Sequence, residues 1–392
     1  MPMPRILIVS SLWPPRVLGG AELYAHDLAA RLRARGHEVG VVTLGVEGEG
    51  VVGVVPPWPY RLDEYASKNA AQRALLHSRD LFNAGARRTL DAALRDFRPD
   101  VVHSHSVPGM SGAVLALPSH RGVAHVHTLH DYWLLCQRLS MVKRSGVACD
   151  ERCRSCVAIS ALRNATIARH PPHVVIAVSQ AIAREHEDIA WLRPRLRVVP
   201  NPVEPMAGVV RRATAGPLTF GYIGQVTRHK GVPTLVEAFT AARLEGARLL
   251  VAGTGAVRDE LSGRTPASIE WMGWVDEEGK RAFFSALDCL VVPSEWKDPA
   301  PLVVNEARAL GVPVIGARIG GIPELIAPEW EPLLYPAGDG AALQARLETF
   351  AADPGAFAAR EGPRPGGWDE HLDRVLGAYD DAGSSREAPN RT

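Results

Sequence analysis

Two carboxylates with seven residues between them, Asp298 and Glu306, mark the stretch of the chain with the most evident chemistry: residues 293–306 read PSEWKDPAPLVVNE. The apolar run over 290–293 predicts a buried strand. The loop after it carries Asp298, and a helix is expected from Pro301, with Glu306 about two turns in. Proline suits a first helical position because its missing N–H would be unpaired there anyway. The amides of such a helix start can hold an anion such as a diphosphate, and a carboxylate on the following turns can accept hydrogen bonds from a ribose diol. Two further loops carry compatible groups. Residues 224–231, GQVTRHKG, set Arg228 and Lys230 beside another helix start. Residues 13–22, WPPRVLGGAE, end in a glycine pair, Gly19-Gly20, that opens a helix carrying Glu22. That pair reads either as a tight turn or as a close approach of backbone to a phosphate or substrate. Gly253-Thr254-Gly255 is a weaker element of the same kind.

The elements that must position these loops are short β-branched runs alternating with helical patterns. Residues 5–9, 38–43, 101–105, 125–129 and 174–178 read as strands of one parallel sheet, with helices over 21–35 and 70–97 between them. After a loop rich in Gly, Pro and Ala that follows Pro202, the alternation restarts with strands over 218–223, 248–252, 269–272, 289–292 and 314–316. Two such blocks predict two doubly wound α/β domains, in which ligands sit beyond the carboxyl ends of the strands. Two of these domains facing each other would form a cleft lined by the loops named above. The length of 392 residues suits two domains, and 46% apolar residues can fill two cores. A net charge of +1 gives no bulk attraction to nucleic acid or to an anionic membrane. No run of about eighteen apolar residues is present to span a bilayer, and the start of the chain reads as a first strand, not a signal peptide. A cytoplasmic protein is the expectation.

Taken in order, these loops resemble the family-4 retaining glycosyltransferases of the GT-B fold, over nearly the whole chain from Arg5 to about Asp339. The residues that carry the resemblance are Gly19-Gly20 with Glu22, His105, His130-Asp131, Lys230-Gly231, the Asp298 to Glu306 element and GGIPE over 320–324. It implies two Rossmann-like domains: residues 1–203, which bind the acceptor and contain the Cys-rich loop 136–156, and residues 204–365, which bind the nucleotide sugar. A helix over 366–382 would return to the first domain, and a disordered tail would occupy 383–392. The resemblance also implies a metal-independent hexosyltransferase of carbohydrate biosynthesis. Its donor would be a UDP-sugar, with a GDP-sugar next, and its acceptor an exopolysaccharide, glycolipid or natural product. Catalytic roles fall on His130, Asp298 and Lys230. Donor binding falls on Gly224, Arg228, Lys230, Gly253, Leu302, Val303 and Glu306, and the acceptor side on Gly19, Gly20, Glu22 and His105. No Asp-x-Asp element is present to bridge a metal to a diphosphate, and no evident nucleophile supports double displacement, so transfer on one face is expected. The chain departs from the family at Asp298, where glutamate is usual, at Gln225, where arginine is usual, and over 327–332, where an Asn-Gly turn is usual. Two other readings stay open: a sugar-nucleotide epimerase of the same fold, and, motivated by Asp298 and Gln225, a nucleotide-sugar-binding protein that has lost turnover.

The remaining features are the histidines and cysteines. His103, His105, His125, His127 and His130 cluster in sequence; His125 and His127, two apart on a strand, share one face. Without a carboxylate or cysteine at suitable spacing they make a poor metal set. Four of the five cysteines, Cys136, Cys149, Cys153 and Cys156, form Cys-x12-Cys-x3-Cys-x2-Cys. The last pair has the spacing of a zinc knuckle. A structural zinc, an iron–sulfur cluster, a disulfide pair and plain thiols are all compatible with it. The basic stretch over 68–95 also holds Asp80 and Asp91, so a solvated face is favoured there over peripheral membrane contact.

Overall fold

The computed structural model describes residues 3–17, 19–56, 68–143, 145–149, 151–203, 206–209, 216–358 and 366–387. The chain divides into two compact units. The first comprises Met1–Leu139, Glu151–Pro200 and Asp369–Thr392; the second comprises Ser140–Asp150 and Asn201–Trp368.

The first unit runs β1 (Ile6–Val9), α1 (Gly20–Ala34), β2 (Val39–Leu44), β3 (Val51–Val55), α2 (Ala70–Leu81), α3 (Ala84–Phe97), β4 (Val101–Ser104), α4 (Gly112–His120), β5 (Ala124–Leu129), α5 (Arg154–Ile167), β6 (Val174–Ala177), α6 (Gln180–His186) and β7 (Leu196–Val198). Its seven strands are parallel, in the order β3-β2-β1-β4-β5-β6-β7. Every residue of β1, β2, β4, β5 and β6 is buried, as expected where helices cover both faces of a parallel sheet. The second unit runs β8 (Thr219–Ile223), α7 (Val232–Ala242), β9 (Arg248–Ala252), α8 (Arg258–Ser262), β10 (Ile269–Gly273), α9 (Glu277–Ala286), β11 (Cys289–Val292), α10 (Leu302–Ala309), β12 (Val314–Ala317), α11 (Ile322–Leu325), β13 (Leu334–Tyr335) and α12 (Gly340–Ala352). Its six strands are also parallel, in the order β10-β9-β8-β11-β12-β13. In both sheets the strand order reverses beside the first strand. Such a switch point opens a crevice beyond the strand ends where ligands bind. It lies between β1 and β4 in the first unit, and between β8 and β11 in the second.

The structure departs from the sequence reading in several places. The helix expected over 70–97 is two helices, α2 and α3. The chain extends at Phe82, and the Asn83 side chain accepts the Ala86 amide at 3.0 Å to start α3. Strands β3, β7 and β13 were not anticipated. Pro301 is not the first helical residue of α10 but its N-cap, with ψ of 113°. The last helix, α13 (Trp368–Glu387), runs five residues past its expected end at 382. Residues 383–387, read as disordered, are therefore helical, while 388–392 lie outside the described residues. Part of the loop after Pro202 (204–205 and 210–215) also lies outside them. Within the Cys-rich segment, residues 140–150 group with the second unit, where Val142 and Ala148 form an antiparallel bridge. No helix among the described residues is long and apolar enough to cross a membrane.

Candidate active site

In the second unit the loops that leave β8 and β11 flank the switch point and are laced together. The Glu295 amide donates to the His229 carbonyl at 2.9 Å, and the Thr234 hydroxyl donates to the Glu295 carboxylate. This lacing brings Lys230 and Asp298, far apart in sequence, to an Nζ–Oδ2 distance of 2.6 Å. The Lys230 ammonium also lies 5.0 Å from the centre of the Trp296 ring, a cation–π contact. Asp298 is only 6% exposed, and its backbone is clamped by the glycines after β12. The Gly321 amide donates to the Asp298 carbonyl at 2.8 Å. A Cβ on Gly320, whose φ is 56°, would meet that carbonyl oxygen at 2.4 Å, so only glycine fits there. Gly224 and Gly253 meet in the same way. A Cβ on Gly253, at φ 128°, would stand 1.8 Å from the Gly224 carbonyl oxygen. Backbone therefore forms the surface at those two strand ends.

Glu306 lies on α10, and its Oε1 accepts from Lys280 of α9 at 2.6 Å. Its Oε2 is buried and has no hydrogen-bond partner among the described residues. Buried carboxylate oxygens are normally satisfied, so Glu306 Oε2 is an acceptor open to a further partner. Lys280 was not foreseen: it sits 26 residues before Glu306 on a helix whose sequence looks like an ordinary charged surface. At the start of α10 the amides of Leu302 and Val303 have no intrahelical acceptor, since the first turn is closed by the bond from Val304 N–H to the Pro301 carbonyl at 3.1 Å. Arg228 has a carboxylate partner of its own. Its guanidinium reaches both oxygens of Glu260 at 2.8 Å on a half-exposed surface. His229, beside Lys230, is lowered to about 4, first by burial and then by the ammonium.

In the first unit the loops after β1 and β4 are joined by the Ser11 amide donating to the Ser106 carbonyl at 2.8 Å. Gly19 is the N-cap of α1, and its amide donates to Glu22 Oε2 at 2.9 Å. Glu22 thus turns back to cap its own helix, which opens at Gly20. His105 Nδ1 and His130 Nε2 are 3.1 Å apart, with the rings stacked at 29°, and the Tyr24 ring packs on both. Burial, reinforced by neighbouring imidazoles, pushes His130 down to about 3 and His105 well below its ordinary value. Both rings are therefore neutral hydrogen-bonding groups near neutral pH. His103 bonds Tyr379 OH at 2.8 Å and Thr128 Oγ1 at 2.7 Å, while Ser104 bridges His125 and His127. All three are core histidines; His103 has both ring nitrogens bonded, whereas His125 Nδ1 is buried without a partner among the described residues. Burial raises the Asp131 carboxyl, opposed by hydrogen bonds from the Trp133 amide and the Ser106 hydroxyl. Next to this cluster, a cavity of about 130 Å³ is lined by Ser11, Glu22, His77, Asp80 and Ser106 among others. Asp80, read from the sequence as part of a solvated face, is instead buried.

The cysteines require a correction. Among the described residues no group of three or more His, Cys, Asp or Glu side chains is arranged to hold a metal ion, so the four-cysteine zinc site is not assembled. Cys136 and Cys156 approach to 3.9 Å, and Cys153 is exposed beside Ser155. Cys149 instead belongs to the strand-bridged segment of the second unit, where its amide donates to the Met141 carbonyl at 2.7 Å. Cys289 is buried in β11.

Comparison with known proteins agrees with this architecture. Residues 18–206 match the family model described as Glycosyltransferase Family 4, and residues 217–353 match that of Glycosyl transferases group 1. A glycogen synthase of Mycobacterium tuberculosis is 26% identical over 381 residues, covering 91% of this chain and 88% of the relative. Sucrose-phosphate synthase from Thermosynechococcus elongatus superposes with a TM-score of 0.73 at 20% identity, over 97% of this chain and 100% of that one. Anabaena HepE, solved in complex with UDP, superposes with a TM-score of 0.64 at 16% identity, over 98% and 97% of the two chains. With both halves matched by glycosyltransferase families and two Rossmann-like parallel sheets, the chain belongs among the glycosyltransferases of family-4 type, transferases of the GT-B fold.

Proposed function

We propose that the second unit binds a nucleoside diphosphate sugar, a UDP-sugar before a GDP-sugar, and that the chain transfers the sugar with retention to a hydroxyl of a glycan, lipid or natural-product acceptor. The observation that carries this reading is Glu306. One of its oxygens is held by Lys280, and the other is buried without a partner, as suits an acceptor for the ribose hydroxyls. The amides of Leu302 and Val303 and the Lys230 ammonium supply positive charge for the diphosphate. As the glycosidic C–O bond to phosphate breaks, negative charge grows on the departing oxygen, and these fixed groups stabilise it. They do so without a metal in this reading, consistent with the lack of an Asp-x-Asp pair. Asp298 orients Lys230 and contacts the sugar, while Gly224 and Gly253 let backbone approach the donor. Neutral His130 hydrogen-bonds near the anomeric centre, and Gly19, Gly20, Glu22 and His105 serve the acceptor side. The acceptor oxygen attacks from the face the phosphate leaves, its proton passes to the leaving phosphate oxygen, and configuration is kept. Support for the UDP preference comes from HepE, a protein of like fold solved with UDP.

Calorimetric titration with UDP, GDP, TDP and ADP tests the reading. UDP is expected to bind most tightly, and Glu306→Ala to weaken it by about tenfold or more, the loss of one charge-assisted hydrogen bond. Circular dichroism should show an intact fold. Undiminished affinity in that variant would remove the ribose assignment, and no binding of any nucleotide would remove the donor reading altogether.

A further inference from the structure

The three cysteines of the first unit gather at the start of α5 in unequal surroundings. Cys153 is the N-cap residue of this helix, with φ −66° and ψ 155°, and it is exposed. Its sulfur lies 3.3 Å from the Ser155 hydroxyl and accepts hydrogen bonds from the Cys156 amide and thiol. Cys156, one turn into the helix, is partly covered, and its sulfur is 3.9 Å from that of buried Cys136. The Cys136 sulfur in turn accepts the Arg138 amide at 3.3 Å. Residues 153–156 thus form a Cys-Arg-Ser-Cys motif wound onto a helix N-terminus, with an open first sulfur and a shielded second one in contact with it.

We propose that Cys153 and Cys156 form a reversible thiol–disulfide site, in which Cys153 reacts with a low-molecular-weight disulfide and Cys156 resolves the adduct. The amides of a helix start favour a thiolate there. In agreement, the Cys153 thiol is lowered to about 7, chiefly by its hydrogen bonds to Ser155 and Cys156, while burial pushes Cys156 up to about 12. The chemistry takes two exchanges. The Cys153 thiolate attacks one sulfur of the disulfide RSSR; the Cys153–SR bond forms as the S–S bond breaks, and RS⁻ leaves. The Cys156 sulfur then attacks Cys153, releases the second R group as thiolate, and passes its own proton to that leaving group. Two protein thiols are oxidised by two electrons and one RSSR is reduced to two thiols. The proposal is independent of the donor reading, because none of its groups takes part in sugar transfer.

The test uses the purified full chain, oxidised glutathione as the probe, and metal content measured on the same preparation. Oxidised wild type is expected to lose two titratable thiols and to yield, after tryptic digestion, the peptides of Cys153 and Cys156 joined by a bond that dithiothreitol cleaves. Cys153→Ser should slow thiol loss by about tenfold or more, since an exposed thiolate is the fast nucleophile. Cys156→Ser should stop at a glutathione adduct on Cys153. Serine is a good N-cap, so both variants are expected to keep the wild-type circular dichroism. Three results would overturn the proposal: an unchanged thiol count, loss at the wild-type rate in Cys153→Ser, or one bound zinc per chain that shields the thiols until a chelator removes it.

Discussion

At the scale of single residues, the contact between Lys230 and Asp298 makes each group depend on the other. Asp298 is nearly buried, so removing Lys230 leaves a carboxylate out of water without its counter-charge, at a cost of about 3 kcal/mol. Lys230→Met should therefore lower stability toward urea by roughly that amount and also abolish nucleotide binding. Adding Asp298→Asn removes the stranded charge. The double variant should recover most of the stability while nucleotide affinity stays lost, because the cation for the diphosphate is still missing. Urea midpoints and calorimetric titrations on the three proteins check both halves. A double variant that binds nucleotide as wild type does would show that Lys230 acts only within the ion pair. Sequence reading reached both partners because each sits in a loop after an apolar strand, a position with a physical meaning. It did not reach Lys280, whose pairing with Glu306 depends on how α9 packs beside α10. Nor did it reach the pairing of Arg228 with Glu260, 32 residues on, which nothing local announces.

Among the elements, α13 shows how a helix can brace side chains from elsewhere in its unit. Leu372, Val375, Ala378, Tyr379 and Ala382 are buried at three- and four-residue spacing, the apolar stripe of a packed helix. Its polar contacts reach two members of the aromatic cluster. Tyr379 OH bonds His103 Nδ1 at 2.8 Å, and His371 Nε2 lies 2.7 Å from Tyr24 OH. Tyr24 in turn packs on His105 and His130. Tyr379→Phe keeps the ring but leaves His103 Nδ1 buried without a partner, which costs about 1–2 kcal/mol. The expected result is a lower urea midpoint with unchanged nucleotide affinity, since Tyr379 lies in the first unit and the residues proposed to hold the donor lie in the second. A drop in nucleotide affinity would contradict that separation. The apolar spacing of α13 was legible, as were most strands, because buried parallel strands are continuous apolar runs. The break between α2 and α3 was not, since helical periodicity continues across it and only the Asn83 cap marks it. Short edge strands such as β13, two residues long, carry too few residues for any pattern to stand out.

For the molecule as a whole, histidine placement sets different acid responses for the two units. Of the 14 histidines only His229 belongs to the second unit. In the first, burial lowers His127 and His130 to about 3 and His186 and His371 to about 4, and holds His103, His105 and His125 well below their ordinary value. A group whose folded pKa is depressed binds its proton first in the unfolded chain. As pH falls below the unfolded value of about 6.5, the unfolded state is therefore favoured, by up to about 1.4 kcal/mol per pH unit for each such group, until the folded pKa is reached. With several groups in one unit and one in the other, the first unit should lose stability far more steeply between about pH 6 and pH 4. Hydrogen exchange read by mass spectrometry at stepped pH separates the two units. Peptides from β4 and β5 should lose protection at a higher pH than peptides from β9 and β11. Replacing His125 and His127 together with asparagine and glutamine should flatten the response of the first unit and leave that of the second unchanged. Loss of protection in both sheets at the same pH would mean that acid acts on a cooperative whole, and that the buried imidazoles do not set the response.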